Sequence, residues 1–180
     1  AKRIDRHSAP WFVWFRRSFV SFSGGEIMSG SYRKYSQCLE RSVKHIFNNL
    51  FEDLSIDEIF EKDRISGGIT VLIEMDGTLK GALRIRLPEA TVKSLTKKMH
   101  PSAKSTKSRE HMEDIAGEMG NLIAGTFANQ LQFIRHSIRL FPPEFGDDLV
   151  GITTFYENIN MIFDSAYGLL AVDLFYKEKE

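Results

Sequence analysis

The 180-residue sequence predicts an α+β fold: an antiparallel sheet with long helices packed on one face. Three observations carry that expectation. One clean helical period, uninterrupted by proline, runs from Ser108 to Gln132. Alternating apolar segments on either side of Asp76-Gly77 read as a β-hairpin. Several strand-like segments then close the chain, the last two turning at Gly168.

Composition bounds the function classes. The length suits one domain with a sizeable core and a short extension. Fourteen phenylalanines and 42% hydrophobic residues mark a globular chain. Basic and acidic residues balance at 24 each, which gives no electrostatic footprint for nucleic acid. Cys38 is the lone cysteine, so no internal disulfide can form and a reducing compartment is favoured. No run of about 18 apolar residues exists to span a membrane. The expected location is the bacterial cytoplasm.

Taken in order, Ser31 to about Leu54 is a helix, with Leu39, Val43, Ile46, Phe47 and Leu50 on one face. Ile56 to Phe60 is a short strand. Gly68 to Met75 is rich in β-branched residues and leads into a two-residue turn at Asp76-Gly77. Leu79 to Leu87 returns, with Leu83, Ile85 and Leu87 alternating against Arg84 and Arg86. Glu89 to Met99 is a helix started by Pro88, and residues 100–108 form a polar, basic loop. After the long helix, strands are expected near Ile134–Leu140, Leu149–Phe155, Asn158–Phe163 and Leu169–Tyr176.

The long helix carries the chemistry. Ser108 can cap it, and Glu110, Glu113 and Asp114 suit the positive end of its dipole. Met112, Ile115, Met119, Leu122, Ile123 and Phe127 define an apolar face. The opposite face carries Asp114, Glu118, Asn121 and Gly125. Such a row is ordinarily a solvated surface. Here Gly117, Gly120 and Gly125 each cost about 1 kcal/mol against alanine in a helix interior, a conflict between propensity and fold that points to close approach or function. Low glycines beside a Glu/Asn pair would let another protein's backbone lie against the helix.

The string Asp114-Ile-Ala-Gly-Glu118-Met-Gly-Asn121-Leu-Ile-Ala-Gly resembles the signature helix of the CheC/CheX/FliY phosphatases: an acidic or serine residue, then Glu, then Asn three later. The strand running into Pro142-Pro143 and the hairpin around Gly77 and Gly81 also match that family, and the resemblance spans roughly residues 31 to 178. Those proteins hydrolyse the aspartyl phosphate of the response regulator CheY. The resemblance therefore implies a hydrolase of two-component, chemotaxis-type signalling. Asn121 would orient the attacking water, and Glu118 would pair with a lysine of the regulator. Asp114, Gly117 and Gly125 would contact the partner. Mg²⁺ would be brought by the phosphorylated regulator, with no metal held by this chain, and a CheX-like homodimer would form by strand pairing. Some members carry a second motif on the first helix. Here Ser36-x-x-x-Glu40 begins it, but Val43 stands where Asn is needed, so one active site per chain is expected, with Glu40 solvated.

Residues 1 to 30 do not match the rest, which defines two units: an N-terminal extension and a CheX-like domain over 31–180. Trp11-Phe-Val-Trp-Phe15, Arg16-Arg17 and later aromatics lead into Ser23-Gly24-Gly25. Three readings stay open: sequence upstream of a natural start at Met28, an arm docking on a partner subunit, or a membrane-surface anchor. The first is preferred because the resemblance begins after Met28. His100, His111 and His136 lie on separate elements without zinc-site spacing, and Cys38 reads as a packed thiol. Lys93, Lys97, Lys98, Lys104 and Lys107 read as solvated surface, with steering of an acidic regulator as a minor alternative. The rival function is a non-catalytic adaptor binding a response regulator or flagellar-switch protein.

Overall fold

The computed structural model describes residues 30–60, 65, 67–101, 108–146 and 156–178. In chain order these form α1 (Gly30–Leu50), β1 (Asp57–Ile59), β2 (Ile69–Gly77), β3 (Leu79–Leu87), α2 (Glu89–Met99), α3 (Arg109–Phe133), β4 (Ile138–Leu140), β5 (Glu144–Phe145), β6 (Glu157–Ser165) and β7 (Gly168–Glu178). All strand pairs are antiparallel, in the order β1-β6-β7-β3-β2-β4, with β5 also on β2. The α+β layer architecture expected from the sequence is the one observed.

One face of the sheet receives all three helices. From α1, Leu39, Val43 and Phe47 are fully buried, and from α3 so are Met119, Ile123, Phe127 and Leu131. They meet Ile73, Leu83, Ile85, Val172 and Leu174 of the sheet in a single core. Burying a side chain of this size contributes about 1.5–3 kcal/mol, more than the roughly 1 kcal/mol each glycine costs a helix. Packing therefore decides that 109–133 is a helix in spite of its three glycines. On the other face, Leu72, Ala82 and Phe175 form a smaller apolar cluster. Beside it, buried Asp173 is compensated by Arg84 at 2.8 Å, Arg86 at 3.3 Å and the Asn160 amide at 2.8 Å.

Four boundaries differ from the sequence reading, each for a local reason. The first helix stops at Leu50, because Glu52 takes a left-handed φ of 56° and the Asp53 amide donates back to the Phe47 carbonyl at 3.0 Å. The hairpin pairs Met75 with Gly81, which puts Thr78 at its tip and excludes a two-residue turn at Asp76-Gly77. Gly77 is needed there because a Cβ would overlap the Ser137 carbonyl of the adjoining strand. The long helix runs to Phe133 and ends on Arg135 at φ 68°, so the following strand starts only at Ile138. The Pro142-Pro143 pair then interrupts the edge ladder on β2, and pairing resumes as β5. The strand expected over 149–155 lies outside the described residues, as does the N-terminal segment to residue 29. Among the described residues no helix is long and apolar enough to cross a membrane.

Candidate functional site

The orientation of α3 follows from its buried stripe. Ile115, Ala116, Met119, Gly120, Ile123 and Ala124 face the sheet and neighbouring helices, so Asp114, Glu118 and Asn121 project to solvent from the far side. Ser108 caps the helix by accepting the His111 amide proton at 3.2 Å. Among the described residues, the Asp114 and Asn121 side chains have no hydrogen-bond or ion-pair partner. Glu118 has one weak neighbour, His100 Nε2 at 3.8 Å, and its side chain is 51% exposed. The three polar groups open into one shallow depression on the surface.

The other side of that depression comes from a part of the chain that sequence reasoning did not connect to the helix. Phe145 is the antiparallel partner of Val71, so both side chains fall on the helix-bearing face of the sheet. At this edge the Phe145 ring lies over Gly117, where a Cβ would come 3.1 Å from its Cζ. Pro143 and Leu122 complete the apolar side. Gly117 thus clears room for this chain's own phenylalanine. Gly120 clears room for the sheet, with Val71 Cγ1 3.0 Å and Ile73 Cδ1 3.2 Å from a would-be Cβ. Of the three glycines in α3, only Gly125 faces open space.

The sequence matches the family model described as "Chemotaxis phosphatase CheX" over residues 69–149, a span that contains the hairpin, all of α3 and the Phe145 strand. The fold matches solved structures along nearly their whole length. The Vibrio vulnificus chemotaxis protein CheX superposes with a TM-score of 0.67 at 17% identity, covering 83% of this chain and 100% of that one. The chain is thus similar in sequence to CheX over that span and has a CheX-like fold. A CheX from Borrelia burgdorferi, solved in complex with CheY, BeF3 and Mg²⁺, gives 0.64 at 17% identity, with 80% and 98% covered. A CheC-like chemotactic protein from Shewanella oneidensis gives 0.64 at 20% identity, with the same coverage. No curated protein sequence matches significantly.

In this CheX-like chain the remaining candidate residues are placed as follows. Val43 of α1 is fully buried, so the position where a second motif would need its amide points into the core. Glu40 pairs with Lys44 at 3.0 Å on the helix surface. Cys38 is buried, and burial pushes its thiol pKa up against a smaller lowering by Arg41, which disfavours a nucleophilic thiolate. His100 and His111, on separate elements in the sequence, meet with ring centroids 6.3 Å apart beside Glu118. His136 lies elsewhere, bonded to the Tyr35 hydroxyl at 2.9 Å and to Thr78 at 3.1 Å. Lys93 and Lys98 are tied to Glu89 and Glu52, whereas Lys104 and Lys107 fall outside the described residues. Among the described residues no group of three or more His, Cys, Asp or Glu side chains could hold a metal ion.

Proposed function

We propose that this chain is a phosphatase that hydrolyses the aspartyl phosphate of a CheY-type response regulator, with Glu118 and Asn121 completing an active centre that the regulator mostly supplies. The observation that carries this reading is the Glu118/Asn121 pair itself: exposed, about one turn apart, on the outward face of a helix whose other face is fixed in the core.

An acyl phosphate needs little covalent help to hydrolyse; it needs a water held in line with phosphorus and charges held in place around it. The Asn121 carboxamide both accepts and donates hydrogen bonds, so it can orient that water without deprotonating it. The Glu118 carboxylate can pair with an ammonium group of the regulator and thereby set the distance from Asn121 to the phosphoryl group. Asp114 extends the acidic row one turn back, Gly117 lets Phe145 lie close to the helix, and open Gly125 admits a partner's backbone. The Mg²⁺ of the reaction belongs to the phosphorylated regulator. The protein acts in the cytoplasm as a homodimer.

Phosphate release from a phosphorylated regulator, followed with and without the protein, tests the activity. Asn121→Ala is expected to lower kcat by ~10²-fold or more, in the range seen when one positioned transition-state group is lost, with the regulator's Kd little changed. Glu118→Gln should weaken binding as well as rate. Turnover by Asn121→Ala equal to that of the parent would remove the water-orienting role, and unaltered phosphate release on adding the parent protein would leave the adaptor function in its place.

A further inference from the structure

We infer that the apolar side of the depression, built on Phe145 with Leu122 and Pro143, is the surface that grips the regulator: it takes an apolar side chain that the regulator presents next to its active-site cation. This rests on the proposed phosphatase reading and assigns the binding energy of the same site.

A division of labour is written in the surface. Asp114 and Glu118 bring two carboxylates, and among the described residues the only basic side chain within ion-pair distance of either is the His100 imidazole, 3.8 Å from Glu118. An exposed carboxylate row selects a cation and speeds encounter, but half-exposed charges in water hold little energy by themselves. Affinity of a protein for a protein comes mainly from apolar or aromatic anchors that become fully covered. Phe145 has the properties of such an anchor. The residue is 44% exposed, and it stands on a backbone pinned to the sheet by pairing with Val71 and by the Gly146 amide donating to Thr70 O at 3.2 Å. The tip of its ring lies close to Gly117, where a Cβ would come 3.1 Å from Cζ, so it is held in place before any partner arrives. The acidic row and the ring border one depression. The fitting occupant is therefore a cation with an apolar neighbour, both on a regulator's surface, rather than a basic peptide or a membrane.

The test uses the full-length chain and a regulator held in its activated form by beryllofluoride for binding, or phosphorylated for turnover. Phe145→Ala should raise Kd and KM about 10-fold while kcat at saturation stays within about twofold of the parent. Phe145→Leu, which keeps an apolar anchor, should stay within about threefold in Kd. Gly117→Ala crowds the ring at its tip without truncating it and should also weaken binding, by a smaller factor. An unchanged KM in Phe145→Ala, or a kcat that falls in step with kcat/KM, overturns the inference. Failure here is separable from failure of the phosphatase reading. If Asn121→Ala loses turnover while Phe145→Ala binds like the parent, the gripping surface alone is wrong. If Asn121→Ala keeps turnover while Phe145→Ala loses affinity, the grip stands and the catalytic assignment falls.

Discussion

Gly120 and Gly125 sit on the same helix, yet alanine should have opposite effects at the two positions. A Cβ at Gly125 meets nothing within 4 Å, so Gly125→Ala keeps the helical gain and should stabilise the protein by ~0.5–1 kcal/mol in urea unfolding. A Cβ at Gly120 comes 3.0 Å from Val71 Cγ1 and 3.2 Å from Ile73 Cδ1, inside a core with little room to give. Overpacking of that kind costs roughly 1–3 kcal/mol, which outweighs the propensity gain, so Gly120→Ala should destabilise by ~1 kcal/mol. Gly125→Ala carries a second readout: if a partner's backbone lies on that spot, the more stable variant should bind the regulator less well. At this scale the sequence was half legible. It announced that three glycines conflict with helix propensity, and the periodicity correctly turned Asp114, Glu118 and Asn121 outward. It could not show that Gly117 serves Phe145, because that contact joins residues 28 positions apart.

Among the elements, α3 was the most legible, since 25 residues of unbroken period leave few alternatives, and even its cap could be read from Ser108. Ser108→Ala removes the acceptor of the His111 amide and should cost ~1 kcal/mol of stability, read as a lower urea midpoint at unchanged slope. Because Glu118 lies more than two turns further along, kcat should not change; a fall in kcat would mean that the cap also sets the site. The two-residue β5 was illegible, although it supplies one side of the depression. A strand of two residues has no periodicity to detect, and Pro142-Pro143 reads as an end when it is an interruption. The hairpin was visible as a hairpin but not in register, because what fixes its tip is the neighbouring Ser137 backbone, donated to by the Thr78 amide at 3.0 Å.

At the scale of the whole molecule, the sheet's strand order could not be read from local pattern, since β7 pairs with β3 across almost a hundred residues. Asp53 is one of the groups that holds distant parts in register, and it makes stability depend on pH. It is almost fully buried at the exit of α1, and its carboxylate accepts from the Ser55 hydroxyl at 2.6 Å, the Ser55 amide at 2.9 Å and the Ala166 amide at 2.8 Å in the β6–β7 turn. Burial opposes its ionisation, but the hydrogen bonds from Ser55, Ala166 and Ile56 together outweigh that and hold its pKa below the usual range. A carboxyl whose folded pKa is depressed contributes stability that is fully present above its unfolded value of about 3.9 and is lost as pH falls through the folded value. Asp53→Asn removes the charge and leaves buried donors poorly matched, so it should cost ~1–3 kcal/mol at pH 7. The gap between parent and variant should then narrow as pH drops below about 4, because the parent's own Asp53 becomes protonated. Urea unfolding of both proteins at pH 7 and pH 3 measures this directly. A gap of equal size at the two pH values would mean that Asp53 ties the α1 exit to the β6–β7 turn through shape rather than through its charge.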